Sequence, residues 1–415
     1  MSIWNPLYRV TINTKVVTEV TLSGLSITSG RTSIYSQPLA GYCNLTLLET
    51  DLQAVGFEIN DSVSIEVKNS SGSYVYLFGG FITDINVIVQ NSGSSAVSQR
   101  INIVAVGALA RLARSVYTGN LPHQFDGDRI AQLLAGVLFN TWNEVPASTT
   151  WNTYNATTTW ANAENSGYGQ IDTPGDYDLH SQTNLNDTIY NLVSIAANSG
   201  LGYLYEDAQG RICYADSTHR NSYLAANGYT DLDGNHAIGP NLQISKKSGD
   251  VRNAITVTYG SNQSSNTTDS DADSISLFGQ LAATVDTELR NLADAEDQAA
   301  FYLTIRAYPR YELRQITFPL TSPEIDDIDR DTLLNVFMGL PVNITNLPIN
   351  MANGQFQGFV EGWTWTMGLN SVYLTLNVSP LAYSLQAARW NGVSASERWN
   401  TLNTGLEWLD ATIVA

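Results

Sequence analysis

Val372-Tyr373-Leu374-Thr375-Leu376-Asn377-Val378 sets an apolar side chain at every second position. That period of two marks a half-buried β-strand, because successive side chains leave the pleated backbone on opposite faces. It is the cleanest alternation in the chain. Upstream, Trp363, Trp365 and Met367 repeat it, and Ile316 and Phe318 begin another strand. The same period returns at Val63, Ile65 and Val67, at Tyr74, Tyr76 and Phe78, and at Ile101, Ile103 and Ala105. Asn69-Ser70-Ser71-Gly72-Ser73 supplies a hairpin connection, and Phe81 to Val89 reads as a long central strand. The sequence therefore predicts a mainly β, α+β fold with two β-barrel or sandwich regions.

Between these regions the period changes. Asp126 caps an expected helix carrying Ile130, Leu133, Leu134, Val137 and Leu138 on one face. Asn184 caps a second, with Leu185, Ile189, Leu192, Val193 and Ala196 buried and Gly200 as its stop. Leu201 to Glu206 and Arg211 to Ala215 predict a hairpin, whereas 140–183, with Trp142, Trp151 and Trp160 among Thr and Asn, reads as an irregular loop. Ile255, Val257 and Tyr259 open the second β region. The polar run from Gly260 to Asp273 is expected to be an exposed, mobile loop, and the longest helix to start at Asp286 or Thr287 and end before Pro309. The resulting divisions are a β-barrel domain at 1–117, an α+β unit at 118–244, a second β-barrel domain at 245–382, and an arm at 383–415. Trp390, Trp399 and Trp408 on that arm are the expected partner-interface residues, since a buried Trp is a common interface anchor.

A chain of 415 residues is long enough for several cores. Its 20 Lys and Arg against 39 Asp and Glu give a net charge of -19, which opposes tight binding to phosphate and would suit a conduit that nucleic acid crosses without sticking. The start, Met1-Ser2-Ile3-Trp4-Asn5-Pro6, has no signal-peptide pattern, so export is not expected. No window reaches the roughly 18 apolar residues of a membrane helix. Cys43 and Cys213 lie in apolar or aromatic contexts and read as buried thiols.

Chemical motifs are weak throughout. Asp231-Leu232-Asp233-Gly234-Asn235 places its glycine fourth, where a calcium loop needs it sixth, and reads as a turn, as does Asp269 to Asp273. Glu324, Asp326, Asp327, Asp329 and Asp331 cluster with Arg330 in what reads as a solvated turn rather than a glycosidase pair. His123, His180, His219 and His236 never fall at metal-ligand spacing, and there is no Gly-x-Ser-x-Gly elbow or phosphate loop. The tryptophan triplet 142, 151 and 160 fits packing better than a sugar platform. No catalytic, cofactor or metal site is expected.

Several segments resemble the tail hub proteins of long-tailed bacteriophages, a group related to contractile-tail baseplate hubs and spike-base proteins. They are Ile27-Thr28-Ser29-Gly30-Arg31 with Pro38 to Leu45, Tyr76 to Ile85 with its Gly79-Gly80, and Val106 to Tyr117. The helix and hairpin of Asp187 to Ile212 resemble that group's insertion. Asp273 to Gly279, Arg306-Ala307-Tyr308-Pro309, Glu361-Gly362-Trp363 and Leu374 to Pro380 then recur in order. The resemblance implies a homotrimer whose paired barrels make a ring of six similar domains in the virion tail, with sheet edges paired between barrels. It implies as partners a distal tail or tail tube protein, the tape-measure protein and tail-tip or fibre proteins, with DNA passing but not specifically bound. Two other tail readings stay open, a hexameric distal tail ring protein and a carbohydrate- or receptor-binding protein, and so does a bacterial injection-system hub.

Overall fold

The computed structural model describes residues 4–17, 21–49, 56–91, 98–138, 171–239, 242–349, 354–368 and 370–381. Trp142, Trp151 and Trp160 of the expected loop, and Trp390, Trp399 and Trp408 of the expected arm, lie outside the described residues.

The N-terminal region supplies β1 (Tyr8–Ile12), β2 (Lys15–Val16), β3 (Thr21–Gly30), β4 (Leu39–Glu49), β5 (Ser62–Lys68), β6 (Tyr74–Asn91) and β7 (Ser98–Val106), closed by the short α1 (Leu109–Leu112). Next come β8 (Val116–Leu121), β9 (Gln124–Phe125), α2 (Asp126–Leu138), β10 (Asp178–Leu179), β11 (Gln182–Thr188), α3 (Ile189–Ser199), β12 (Tyr203–Glu206), β13 (Ile212–Ala215) and α4 (His219–Asn227). The remainder holds β14 (Thr230–Asp233), β15 (Gln243–Ser245), β16 (Ala254–Tyr259), β17 (Ser265–Ser270), α5 (Ala272–Phe278), β18 (Ala282–Val285) and α6 (Leu292–Arg306). It ends with β19 (Glu312–Pro319), α7 (Asp327–Leu334), β20 (Pro341–Thr345), β21 (Phe356–Gly368) and β22 (Ser371–Pro380). The fold is mainly β, with helices set against large antiparallel sheets.

The two alternating regions do not close into separate barrels among the described residues. They join in one open 13-stranded sheet in the order β15-β19-β22-β21-β3-β4-β7-β6-β5-β1-β2, with β14 and β20 branching from β21. The edge pairing expected between barrels takes place within the chain, as β21 runs antiparallel to β3 from Gly362 opposite Gly30 to Met367 opposite Leu25. Both glycines are required there. A Cβ on Gly30, whose φ is +81°, would meet the Glu361 carbonyl at 2.5 Å, and one on Gly362 would meet the Arg31 carbonyl at 2.7 Å.

One buried face serves both halves of this sheet. Ile27, Cys43, Leu45, Ile65, Ile103, Trp363, Trp365, Leu374 and Leu376 share a single core with Tyr203, Tyr205 and Cys213 of the β12-β13 hairpin. Both cysteines are buried free thiols. The hairpin reaches this core because Gly79 has no side chain, since a Cβ there would stand 2.1 Å from the Gln209 carbonyl. A second core gathers Leu133, Leu134, Val193 and Ala196 of α2 and α3 with Ile255, Val257 and Ala299.

Polar composition misleads the reading in three places. The run from Gly260 is not a loop, since β17 pairs with β16 from Ser265 opposite Tyr259 to Ser270 opposite Ala254, and α5 follows with Asp271 as its N-cap. Serines and threonines suffice there because β17 is an edge strand exposed along one face. Residues 182–188 extend as a strand against β8, so the helix cap is Thr188, whose hydroxyl accepts from the Asn191 amide, rather than Asn184. The long helix begins at Leu292 instead of Asp286 or Thr287, because Thr287 and Glu288 are buried in contacts of their own. Likewise the acidic run at 326–331 opens helix α7, with Asp326 as its cap and Arg330 buried under it.

At the joint of the sheet, β21 carries a bulge between Val360 and Gly362, and Glu361 is the extra residue. Its buried carboxylate accepts from Arg31 Nε at 2.7 Å, Arg220 Nη1 at 2.7 Å, Arg220 Nη2 at 3.0 Å and Ser379 Oγ at 2.5 Å. Removing one member of a buried charge network strands the others, so Glu361→Ala is expected to cost about 3 to 5 kcal/mol in urea unfolding. A loss below about 1 kcal/mol would mean that packing alone holds the joint.

Candidate functional site

The side chains opposite the core form a second surface of the same sheet, and register brings them into rows. Thr317, Thr375, Thr364, Thr28, Tyr42 and Val106 stand side by side across β19, β22, β21, β3, β4 and β7. The next row runs through Tyr373, Thr366, Ser26, Asn44, Val104 and Asp84. Asn86, Asn102 and Thr46 begin a third at the other margin, and Gln315 and Asn377 extend the face at its opposite side. Hydroxyls and amides link neighbours directly. Thr317 and Thr375 lie 2.9 Å apart, Thr28 and Thr364 3.4 Å, and Thr46 donates to Asn102 at 3.2 Å.

From β19 to β7 this face is polar and carries little charge, while farther along the sheet the Arg9–Glu66 pair and Lys68 stand on it. Asp84 ends one row, and Arg100, opposite Leu48, stands at the β6-β7 margin. It crosses the β3-β21 joint without interruption, so residues 26–46 and 364–377 act as one surface. Cross-strand threonine pairs stabilise a sheet modestly, by roughly 0.2 to 1 kcal/mol each; Thr28 is exposed, Thr364 and Thr375 are half-buried, and Thr317 at the end of the row is buried.

The sequence-derived candidates scatter elsewhere. Asp231 and Asp233 accept from Asn343 at 2.6 Å and Asn346 at 3.0 Å, which ties β14 to the β20 strand and its turn. Glu324, Asp326, Asp327, Asp329 and Asp331 serve α7: Asp327 pairs with Arg330 at 2.5 Å, and Asp331 accepts from the Ser70 amide at 2.9 Å. The histidines do not meet: His123 pairs with Asp178, His219 with Asp172, and His236 lies 3.6 Å from Asp329. Among the described residues no group of three or more His, Cys, Asp or Glu is placed to hold a metal, and no helix is long and apolar enough to cross a membrane.

A buried acidic cluster in the α2-β13 region is the other chemically distinct feature. Asp126, the expected helix cap, instead accepts from the Tyr177 amide at 2.8 Å and from the Tyr214 hydroxyl. Burial raises its pKa to about 7. Burial, with Asp172 and Asp176 close by, raises Asp216 to about 8. Glu206, which accepts from the amides of Gly41 and Leu109 and so ties β12 to β4 and α1, is raised by burial to about 7. Glu361 goes the other way, since Arg220 and Arg31 outweigh the burial that alone would raise it.

No protein-family model matches this sequence, and no curated protein matches it. The fold does have solved counterparts. The tail protein from Neisseria meningitidis MC58 is 13% identical with a TM-score of 0.57, over 90% of this chain and 96% of its own. The 43 kDa tail protein of prophage MuSo2 from Shewanella oneidensis is 10% identical with a TM-score of 0.56, over 91% of this chain and 99% of its own. The chain thus has the fold of phage tail proteins along nearly its whole length, as the sequence resemblance anticipated.

The carboxyl shifts set a pH profile. Unfolded carboxyls release their protons near pH 4, but Asp126 and Glu206 hold theirs to about 7 and Asp216 to about 8. Stability from these groups is full below about pH 4 and is lost as pH rises through 7 to 8, whereas that from Glu361 is lost as pH falls below about 4. The urea midpoint is expected to fall between pH 5 and pH 8, and Asp126→Asn to remove part of that slope, on the order of a few kcal/mol. An unchanged slope in the variant would show that Asp126 does not carry it.

Proposed function

We propose that the chain is a non-enzymatic structural component of a bacteriophage tail, a hub that assembles as a trimeric ring and passes DNA and the tape-measure protein. The observation that carries this reading is the sparsely charged, threonine- and asparagine-bearing face that crosses from β19 to β7 in one sheet. Lys and Arg on a channel wall would release counterions from DNA and hold it, while hydroxyls and amides wet the wall without that penalty. The net charge of -19 acts in the same direction.

Each chain contributes two β halves joined at β3 and β21, so three chains supply six, which suits a three-fold tip under a six-fold tube. The fold shared with tail proteins supports the virion setting, and distal tail, tail tube and tail-tip proteins are the corresponding partners. No catalytic role is assigned.

Native mass measurement is expected to give three copies, and imaging to give a ring. Six copies would instead favour a distal tail ring, and a compact monomer absent from virions would overturn the reading. Thr28→Lys, Thr364→Lys and Thr375→Lys together are expected to lower the Tm modestly through lost threonine pairs and adjacent like charges, to leave the ring assembled, and to slow DNA ejection at least about tenfold at low salt, with recovery as salt rises. Unaltered ejection from intact triple-variant particles would remove this face from the channel.

A further inference from the structure

A large cavity lies away from the polar face. A cleft of about 700 Å³ opens between α3 and β18. Leu185, Ile195 and Val285 give it an apolar floor, and Asp187 and Asp286 stand exposed within it. Neither carboxylate has an ion-pair partner among the described residues. β18 is also an unfinished edge, since its described strand neighbour is β16 alone, on one side. An edge strand beside a trough with an apolar floor and polar walls is the geometry that accepts an added segment.

The end of the described chain points to the occupant. Val378, Ser379 and Pro380 line a smaller groove together with Ile34, Tyr35 and Arg306. Those last three residues also line the cleft, with the Arg306 guanidinium 4.0 Å above the Tyr35 ring at the shared lip. The described chain therefore ends, at Leu381, beside the mouth of the cleft. From Leu381 to Trp390 an extended chain spans about 30 Å. Arg389-Trp390, the first cation and the first tryptophan past that point, match the two carboxylates and the apolar floor.

We propose that the segment after Leu381 docks in the α3-β18 cleft of its own chain, with Trp390 against the apolar floor and Arg389 near Asp187 and Asp286. Trp390 is then an intramolecular anchor, and Trp399 and Trp408 lie beyond it. The contact is independent of the hub reading, because it is made within one chain whatever that chain assembles into.

Cross-linking tests it on the full-length protein. Asn191 is exposed on the α3 wall of the cleft, and Asn391 follows Trp390. A chain carrying Asn191→Cys and Asn391→Cys is expected to form an oxidised species that migrates as a single chain, with little background from the buried Cys43 and Cys213. Adding Asp187→Lys and Asp286→Lys should lower its yield at least about threefold. Hydrogen exchange supplies the second readout. Stopping the chain after Leu381 should speed exchange of the 282–285 amides about tenfold, and a peptide of residues 382–400 should restore protection. Cross-links found only between chains, no cross-link, or exchange at 282–285 unchanged by truncation would each overturn the proposal.

Discussion

The Glu361 carboxylate, buried between two guanidiniums, is the constraint on which the rest of the sheet depends. A lone ionised carboxylate in that position would be expelled or protonated, so Arg31 and Arg220 must stay wherever Glu361 goes. Arg31 directly follows β3, Glu361 is the bulge residue of β21, Arg220 belongs to α4, and Ser379 closes the site from β22. Three stretches far apart in sequence, the end of β3, helix α4 and the β21-β22 pair, are thereby held to one point. The Arg220 guanidinium also sits 4.3 Å above the Tyr203 ring, which brings the β12-β13 hairpin into the same assembly. Because every partner is specified, the network sets register as well as adhesion: a slip of β3 past β21 would separate Gly30 from Gly362 and Arg31 from Glu361 together.

That joint explains why two alternating regions make one surface. Each half alone would present a sheet edge at β3 or β21, and exposed edges invite pairing with other chains. Pairing them within the chain consumes both edges. The described edges that remain are short, three residues in β15, two in β2 and four in β14, so little unpaired backbone is left on this sheet. The Thr and Asn rows are continuous only because the joint is in register.

The sequence revealed strands by their apolar members and said little about the residues between them. Val372, Leu374, Leu376 and Val378 marked β22 correctly, yet Tyr373, Thr375 and Asn377, which carry the candidate surface, looked like spacers. Their importance lies in register with Thr364 and Thr28, and pairing across more than 300 residues has no local signal. The same limit hid the Glu361 network: the Glu361-Gly362-Trp363 motif was visible, but the guanidiniums that neutralise it come from the residue after β3 and from α4. Errors fell where polar composition stood in for structure. Ser265 to Ser270 lacks the apolar and aromatic residues of a strand and forms one because β16 templates it, and the carboxylates at 326–331 look solvated until Arg330 is seen beneath them.

The buried carboxyls connect the two cores in a way that burial of apolar surface does not. Glu206 lies at the end of a hairpin whose Tyr203 and Tyr205 enter the sheet core while Leu204 and Ile212 enter the other, and its carboxyl receives amides from β4 and the start of α1. A Cβ on Gly107 would stand 1.9 Å from that carboxyl, so the approach is possible only with glycine there. Hydrophobic contact is tolerant of small shifts, whereas a buried carboxyl between two fixed amides is not. The inserted hairpin is therefore located by Glu206 on one side and by Arg220 and Glu361 on the other. Two polar anchors fix its position and its orientation, which one could not do. The sheet gains its rigidity from these few charged and acidic groups, all of them on the core side, opposite the polar rows.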